Sequence, residues 1–245
     1  MRVYAIGDVH GEAALLSSLL QRLADDARLR GPADTVLLFV GDIIDRGPHG
    51  AELIVALAPA AGDRVILLKG NHEAALVDAW RGEDEALAFW IEFGGRETLG
   101  GFGVTIAEGD DLAVVGQKLR HAVPEALIDR LDALPTAWTA GDYFFTHAGV
   151  RPGVPLDRQV EADLLWIREP FLSNRRRQEK VIVHGHTIEP GVPALGGVRI
   201  GIDTGAAALG QLTALGLEED RQWLVQATRD TAQAPAFALD AAVAA

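Results

Sequence analysis

Five short motifs in the sequence combine glycine with aspartate, histidine or asparagine, at residues 7–11, 41–47, 70–73, 147–149 and 184–187. Their carboxylate, amide and imidazole groups are donors that manganese, iron, zinc and magnesium accept in proteins. The chain has no cysteine, so thiolate ligands are excluded. Two cations held about 3.5–4 Å apart acidify a water molecule and neutralise phosphate oxygens during in-line attack. The motifs therefore indicate a two-metal site for phosphate chemistry.

The spacing within the motifs supports shared cation binding. Asp8 and His10 are separated by one residue in an extended segment, so both side chains project to the same side. Asp42 follows a predicted strand and is placed to bridge two cations. A single motif is more typical of a turn or of a packed histidine. Five motifs in order, each after a predicted strand, favour a site, because buried aspartate and histidine without partners are costly.

Strands and helices alternate along the chain. Apolar runs of strand length occur at residues 3–6, 35–40, 64–68, 143–146, 181–183 and 198–202. Leucine spacing predicts helices over residues 12–30 and 124–134, and a helical insert is predicted around residues 74–103. Residues 212–217 and 222–228 resemble a hairpin. This order predicts an α/β fold whose ligands bind beyond the carboxyl ends of the strands, in one domain over residues 1–232 with an Ala-rich tail at 233–245.

Composition restricts the class of partner. The 245 residues carry a formal net charge of −13, which disfavours nucleic acid as a main partner. The sequence contains no uninterrupted apolar run of about 18 residues, so it predicts no membrane span. The amino terminus lacks the pattern of a signal peptide, so we expect a cytoplasmic protein, and a monomer is the default expectation. The basic run at residues 175–177 is typical of a solvated surface, with attraction of anionic substrates as the alternative.

The motifs GDVHG, GDIIDRG, GNHE, HAG and GHT, in this order, closely resemble those of the calcineurin-like metallophosphoesterases. GDIIDRG and GNHE resemble the phosphoprotein-phosphatase branch, which includes bacterial and phage serine/threonine phosphatases and symmetrical diadenosine tetraphosphatases. The resemblance extends from Met1 to about Thr187, and the later IGIDTGA segment also recurs in bacterial members. It implies a four-layer α-β-β-α sandwich with a dinuclear metal centre at the edge of the sandwich.

The resemblance also implies the metal ligands. Asp8, His10 and Asp42 would hold the first cation, and Asp42, Asn71, His147 and His186 the second. His186 matches the first histidine of the broader GHxH motif, whereas Ile188 replaces the second histidine. His184 is expected to pack at the strand end or to support the site. We expect manganese, with iron, zinc and magnesium as alternatives.

Catalytic roles follow from the same resemblance. His72 would be the general acid that protonates the leaving oxygen during attack by a metal-bound hydroxide. Asp45 would orient His72 and keep it protonated, while Arg46 and Arg168 would grip the phosphate. Arg168 is chosen because its segment resembles the LLW segment of relatives. Glu73 and Thr187 are expected to support the site, and Asp203 is expected either to support it or to cap a turn.

Three functions compete at this point. The first is a phosphomonoesterase of the serine/threonine phosphatase type, acting on phosphorylated protein or a small phosphate ester. The second is a symmetrical dinucleoside polyphosphate hydrolase. In that case Trp80, Phe89 and Trp90 are candidates for stacking on adenine, although their spacing is more typical of core. The third, a metal-binding scaffold without catalysis, is disfavoured because His72, Asp45 and Arg46 are all present.

Overall fold

A computed structural model describes residues 1–82, 84–107 and 109–230. The strands within these ranges are β1 (Arg2–Ile6), β2 (Thr35–Phe39), β3 (Val65–Leu67), β4 (Ala137–Ala140), β5 (Tyr143–Thr146), β6 (Val181–His184), β7 (Arg199–Gly201), β8 (Gln211–Glu218) and β9 (Arg221–Thr228). One sheet has the order β3-β2-β1-β8-β9 and the other the order β4-β5-β6-β7. Strands β1, β2 and β3 are parallel to one another, as are β5, β6 and β7. Both parallel groups therefore present their carboxyl ends at one edge of their sheet.

The helices of the described residues are α1 (Ala13–Arg30), α2 (Gly50–Leu57), α3 (Asn71–Arg81), α4 (Asp84–Trp90), α5 (Arg96–Gly101), α6 (Leu112–Ala122), α7 (Glu125–Asp132), α8 (Glu161–Trp166) and α9 (Ala206–Leu209). A π-helical turn over Ile91–Gly95 joins α4 to α5. Leucines at helical spacing form the buried face of α1, and Gly31 follows its last residue with a φ of 88°. The structure thus confirms the first predicted helix. The residue that follows it is glycine, the type best suited to positive φ.

Alternation of side chains along the strands divides the core into layers. Val3 and Ala5 of β1 face the other sheet and pack in an apolar cluster with Phe145 and Val183. Tyr4 and its alternate neighbours face the opposite way and pack against the large helices. A third cluster covers the outer face of β5 and β6 with residues of α8 and its flanking loops. The described residues form the expected four-layer α-β-β-α sandwich.

Several details differ from the predicted elements. The insert begins with α3 at Asn71, three residues before the predicted boundary, so the third motif lies on the first helical turn. Strand β4 and helices α2, α6, α8 and α9 were not predicted. The hairpin is confirmed, with β8 and β9 paired from Gln211 with Thr228 to Glu218 with Arg221.

Two predictions concern segments far from the motifs. Arg177, in the basic run, lines a depression with Tyr143 and Val181 at the amino ends of β5 and β6. It therefore lies at the opposite end of these strands from the motifs. The Ala-rich tail predicted at residues 233–245 lies outside the described residues. No described helix has the length and apolar character needed to cross a membrane.

Candidate active site

The five motifs lie together at one edge of the two sheets. Asp8, Asp42, Asn71, His147 and His186 follow the carboxyl ends of β1, β2, β3, β5 and β6 respectively. Backbone hydrogen bonds connect the motifs. The amides of Val9 and His10 donate to the Asp42 carbonyl oxygen at 3.0 and 2.9 Å, and the Gly185 amide donates to the His147 carbonyl oxygen at 2.8 Å. The strand ends therefore bring distant parts of the sequence to one place.

Five residues at this edge have the left-handed backbone conformation that residues other than glycine rarely adopt. The φ angle is 47° at His10, 52° at Asp42, 70° at Asp45, 67° at Arg46 and 63° at His186. The only other non-glycine residue with positive φ in the described ranges is Glu219, in the β8–β9 turn. Each such conformation costs about 1–3 kcal/mol and persists only where surrounding structure maintains it. Strain is therefore concentrated at the motifs.

One set of donors, the Asn71 donor group, consists of Asp42, Asn71, His147 and His186. The Asn71 Oδ1 atom lies 2.6 Å from His147 Nε2 and 3.0 Å from His186 Nδ1. Asp42 Oδ2 lies 3.4 Å from His147 Nε2. The ligand atoms of Asp42, His147 and His186 all lie within 4.8 Å of one another. The structure thus brings together the residues predicted for the second cation.

A second set, the His10 donor group, consists of His10, Asp42 and His72, whose ligand atoms also lie within 4.8 Å of one another. Asp42 Oδ2 is 3.6 Å from His10 Nε2 and 3.9 Å from His72 Nε2. The expected ligand Asp8 lies next to the Asn71 donor group, since its Oδ2 accepts a hydrogen bond from the His186 amide at 2.9 Å. Asp42 belongs to both donor groups, so its carboxylate lies between them.

The donors fit divalent cations. Asp8 Oδ1 is buried without a hydrogen-bond partner, as are the Asn71 Nδ2 and Thr187 Oγ1 atoms. A buried polar group left unpaired costs about 1–3 kcal/mol. Coordination of a cation by Asp8 would give its free oxygen a partner and offset the buried negative charge. The oxygen and imidazole donors suit manganese, iron, zinc or magnesium.

The protonation states of His10, His186 and Asp42 suit the binding of divalent cations. Burial lowers the pKa of His10 and the pKa of His186 to about 3 each, so both imidazoles are neutral near neutral pH. Burial opposes ionisation of Asp42, but the facing imidazoles, His147 foremost, hold its pKa below the usual range. Burial and the neighbouring carboxylates raise the pKa of Asp8 well above its usual value. Neutral imidazoles and an ionised bridging carboxylate are the forms that bind cations.

His72 and Asp45 form a buried hydrogen-bonded pair. The His72 Nδ1 atom lies 2.7 Å from Asp45 Oδ2, which also accepts a hydrogen bond from Trp90 Nε1 at 2.9 Å. The Thr98 hydroxyl donates to Asp45 Oδ1 at 2.6 Å and accepts from the Asp45 amide at 2.8 Å. Burial lowers the pKa of His72, but the charge of Asp42 and the Asp45 hydrogen bond outweigh it and raise that pKa. His72 is therefore held with Nε2 facing the donor groups.

Two exposed arginines face the site from opposite sides. Arg46 Nη1 lies 2.7 Å from His10 Nε2, and its Nη2 lies 3.0 Å from His72 Nε2. Arg168 Nε lies 3.4 Å from His186 Nε2. Each donor group thus has one guanidinium group at its solvent side. A cation at His10 would compete with Arg46 for the same imidazole nitrogen.

Glu73 holds the backbone of two motifs. Its carboxylate accepts hydrogen bonds from the amides of Gly70, Asp42 and Ile43 at 2.9 Å each, and from the Ile44 amide at 3.3 Å. The residue is 1% exposed. The carboxylate at the third position of α3 also caps that helix. Glu73 therefore supports the site, as expected, by fixing the turn that carries Asp42.

We expect Glu73→Gln to lower the free energy of unfolding of the metal-free protein by about 1–3 kcal/mol. The amide keeps the size of the side chain but has only one acceptor oxygen for four backbone donors. Urea denaturation measures the change. The matched control is Glu161→Gln, whose exposed carboxylate pairs with Lys69 Nζ at 3.0 Å, with an expected loss below about 1 kcal/mol. Equal effects of the two substitutions would show that the Glu73 hydrogen bonds contribute no more than a surface ion pair.

Two glycines are required by close approach. A Cβ atom at Gly185 would lie 2.0 Å from Asp8 Oδ1, and one at Gly70 would lie 2.2 Å from Asp42 Oδ1. Any larger residue would displace these carboxylates. The glycines beside the motifs therefore leave room for the donor atoms.

His184 and Asp203 lie next to the donor groups. His184 is fully buried, with Nε2 3.1 Å from Arg199 Nη1 and its ring edge-on to Phe171, so it packs at the strand end. Asp203 Oδ1 accepts a hydrogen bond from the Gly205 amide at 2.9 Å, which caps the turn. Its charge also raises the pKa of Asp8. The structure therefore shows Asp203 in the role of a turn cap, and its support of a metal site stays a prediction.

The aromatic candidates separate into core and surface. Trp80 donates from Nε1 to the Val123 carbonyl oxygen, and Trp90 is fully buried. Phe89 is 48% exposed and remains available for a ligand. Sequence reasoning missed Thr98, which fixes Asp45, and Phe93, which stacks on His72. No motif signal marks either residue.

Comparison with known proteins agrees with this geometry. The family model described as calcineurin-like phosphoesterase matches residues 1–208. A symmetrical bis(5′-nucleosyl)-tetraphosphatase of Dechloromonas aromatica is 31% identical over 161 residues, covering 62% of this chain and 45% of the relative. The serine/threonine-protein phosphatase 2 of Escherichia coli is 34% identical over 93 residues, 38% of each chain. The chain spans about half the length of the tetraphosphatases that it matches.

Solved structures show the same fold. A crystal structure of a protein provisionally assigned as a diadenosine tetraphosphatase aligns with a TM-score of 0.65 at 22% identity, covering 93% of this chain and 94% of the other. A serine/threonine phosphatase of Saccharomyces cerevisiae aligns with a TM-score of 0.57 at 17% identity, covering 96% and 82%. At these identities the likeness concerns the fold alone. Because the family model covers most of the sequence, the chain belongs to the calcineurin-like phosphoesterase family.

Proposed function

We propose that the chain is a metal-dependent hydrolase that cleaves dinucleoside tetraphosphates symmetrically. The observation that carries the phosphate chemistry is the pair of donor groups sharing Asp42, with an exposed guanidinium group at the solvent side of each. The tetraphosphatases among the relatives, 31–32% identical over about two thirds of the chain, support the nucleotide substrate. They favour this function over the serine/threonine phosphatase that we first expected.

In this proposal Asp8, His10 and Asp42 would hold one divalent cation, and the Asn71 donor group would hold a second. Manganese is our choice for both. When bound, the cations lower the pKa of a water molecule and neutralise charge on the phosphate oxygens. We choose Asp8 in place of His72 as the third ligand of the cation at His10 and Asp42. The Asp8 Oδ1 atom is buried without a hydrogen-bond partner, whereas His72 is held by Asp45.

The chain's own residues position the substrate and supply a proton. Arg46 and Arg168 bind phosphate oxygens through charge-assisted hydrogen bonds. Water adds to phosphorus and releases a proton to solvent as the bond to the leaving oxygen breaks, and His72 Nε2 gives its proton to that oxygen. Asp45 holds the imidazole by Nδ1 so that Nε2 points at the phosphate. Cleavage at the middle of diadenosine tetraphosphate then yields two ADP.

The His72–Asp45 pair makes the rate depend on pH. The raised pKa of His72 keeps the imidazole protonated to a higher pH, so kcat falls as pH rises through that pKa. Asp45→Asn removes the negative charge and leaves only a weaker, neutral acceptor for His72 Nδ1, which lowers the pKa of His72. We therefore expect the alkaline limb of the kcat–pH profile to shift to lower pH. An unchanged limb in Asp45→Asn would mean that another group limits the rate.

The first assay uses metal-stripped protein with diadenosine tetraphosphate, p-nitrophenyl phosphate and bis-p-nitrophenyl phosphate, each with and without manganese. Manganese-dependent release of two ADP, faster than turnover of the other substrates, supports the proposal. Products other than ADP, or no cleavage of the tetraphosphate, refute it. Metal binding without turnover of any substrate would support the scaffold instead.

A phosphomonoesterase is the second candidate. The Escherichia coli serine/threonine-protein phosphatase 2 favours it, because the matched part is 34% identical over 93 residues. Its signature is manganese-dependent hydrolysis of p-nitrophenyl phosphate and of phosphoserine peptides, with diadenosine tetraphosphate near background.

A further inference from the structure

Three aromatic side chains form an exposed cluster beside the donor groups. We call Phe89, Phe93 and Trp166 the aromatic shelf. The ring centroids of Phe89 and Phe93 lie 5.0 Å apart in a stacked arrangement, and Trp166 lies 5.7 Å from Phe93 and 6.1 Å from Phe89. Phe89 is 48% exposed and Trp166 is 39% exposed. The shelf therefore presents aromatic surface to solvent.

The shelf continues directly from residues of the candidate active site. The Phe93 ring stacks on the His72 ring, with centroids 4.1 Å apart and an interplanar angle of 11°. Trp166 approaches His186 edge-on at 6.2 Å. Because His72 faces the leaving oxygen in the proposed reaction, the shelf lies on the side of the leaving group. A planar ring carried by that group would meet Phe89 and Trp166 first.

The backbone holds the shelf in place. Phe93 lies in the π-helical turn Ile91–Gly95, where Gly94 has a φ of 123°. The Gly94 carbonyl oxygen accepts a hydrogen bond from the Arg46 amide at 3.0 Å, so this turn is fixed to a phosphate-facing motif. Trp166 ends α8, two residues before Arg168. Each aromatic segment of the shelf is therefore anchored next to one of the two exposed arginines.

Exposed rings in a cluster need an explanation other than core packing. Single exposed apolar residues such as Leu29 are normal on a protein surface, whereas a contiguous exposed patch marks a binding site. The two arginines suit phosphates, and the aromatic rings suit a flat apolar group attached to those phosphates. A nucleotide combines both features.

We propose that the aromatic shelf stacks the nucleobase of the leaving nucleotide. This proposal rests on the proposed function and specifies how that site recognises its substrate. Stacking uses the face of the base and reads no hydrogen-bonding edge, so adenine, guanine and uracil nucleotides are all accepted. The substrate class is therefore nucleoside polyphosphates, with weak discrimination between bases.

The test is an equilibrium titration of the manganese-loaded protein with two non-hydrolysable probes. These are α,β-methylene-ADP and methylenediphosphonate, which share the diphosphate mimic and differ by the nucleoside. The measured quantity is the ratio of their Kd values by calorimetry. We expect wild type to bind the nucleotide more tightly, and Phe89→Ala to reduce this preference about tenfold.

Two further variants serve as controls. Phe89→Trp keeps a stacking surface and should keep the preference. Leu29→Ala removes an exposed apolar side chain that is 89% exposed and lies near the end of α1, so its Kd ratio should equal that of wild type. The Phe89 ring contacts those of the other two shelf residues.

Each outcome bears on the proposal. Equal Kd values for the two probes in wild type would overturn it, and so would a preference that survives Phe89→Ala. We expect the phenyl ring to improve the Kd of phenyl phosphate over that of inorganic phosphate less than the nucleoside improves the Kd of the nucleotide probe. An equal improvement would overturn the proposal and assign the shelf to small aromatic esters. Wild type could fail to cleave diadenosine tetraphosphate and still prefer the nucleotide probe, with that preference lost in Phe89→Ala. This result would refute the proposed reaction but support the base-stacking site.

Discussion

Replacing His72 with asparagine is expected to lower kcat by about 10²–10⁴-fold while leaving the cation content of the protein unchanged. Asparagine carries no transferable proton, so the leaving oxygen departs unprotonated. The side chain is fully buried and its Nδ1 is held by Asp45 at 2.7 Å, so no water replaces it readily. Steady-state kinetics and elemental analysis of the manganese-loaded variant measure the two quantities.

The dependence on leaving group makes this test specific. Loss of a general acid matters most for a leaving group of high pKa, because p-nitrophenolate departs readily without a proton. We therefore expect a smaller loss with p-nitrophenyl phosphate than with an alkyl phosphate ester. The control is His121→Asn, an exposed histidine on α6, which should match wild type. An equal loss for both leaving groups would assign His72 to positioning or to cation binding.

Replacing Asp42 with asparagine is expected to remove both cations and to lower kcat/KM by at least about 10³-fold. Asp42 Oδ2 lies 3.4 Å from His147 Nε2 and 3.6 Å from His10 Nε2, so one carboxylate serves both donor groups. The amide preserves shape but loses the charge that attracts divalent cations. Cation content should fall well below that of Asp8→Asn, which removes a ligand of only one proposed cation.

Thermal unfolding provides a readout that does not depend on catalysis. A cation that binds only the folded state raises Tm with its concentration. Manganese should therefore raise the Tm of wild type and leave the Tm of Asp42→Asn nearly unchanged. The control Asp26→Asn removes a carboxylate of α1 that accepts hydrogen bonds from Tyr4 on β1 and from Arg30, and this variant should retain the manganese response. A full response in Asp42→Asn would exclude the shared-ligand arrangement.

The sequence predicts that the donor residues lie together because each of their motifs follows a predicted strand. Each motif follows an apolar run, and parallel strands align their carboxyl ends, so Asp8 and Asp42 had to meet. His147 and His186 also come together because they follow β5 and β6, neighbouring parallel strands of the second sheet. The choice of His186 over His184 rested on the resemblance alone, and the geometry places only His186 beside Asn71.

Other parts of the site depend on contacts that local sequence does not encode. Thr98 forms its hydrogen bond with Asp45 across 53 positions of sequence. The ring of Trp166, at the end of α8, lies next to that of Phe93, in the turn between α4 and α5. The π-helical turn that aims Phe93 at His72 has no composition signal. Strand β4 was missed because its four residues pair along one edge of the second sheet and are only partly buried. Periodicity is weak in such short, half-exposed segments.

The strand order also constrains how the protein is made. Strand β1 carries the first motif and lies between β2 and β8, yet β8 begins only at Gln211. During ribosomal synthesis β1 can pair with β2, and β2 with β3, at an early stage, while the other edge of β1 stays open until the hairpin emerges. An open strand edge in a mostly apolar strand is a site for aggregation. Fragments that stop before the hairpin should therefore associate through β1, and chaperone dependence should end once β8 has paired.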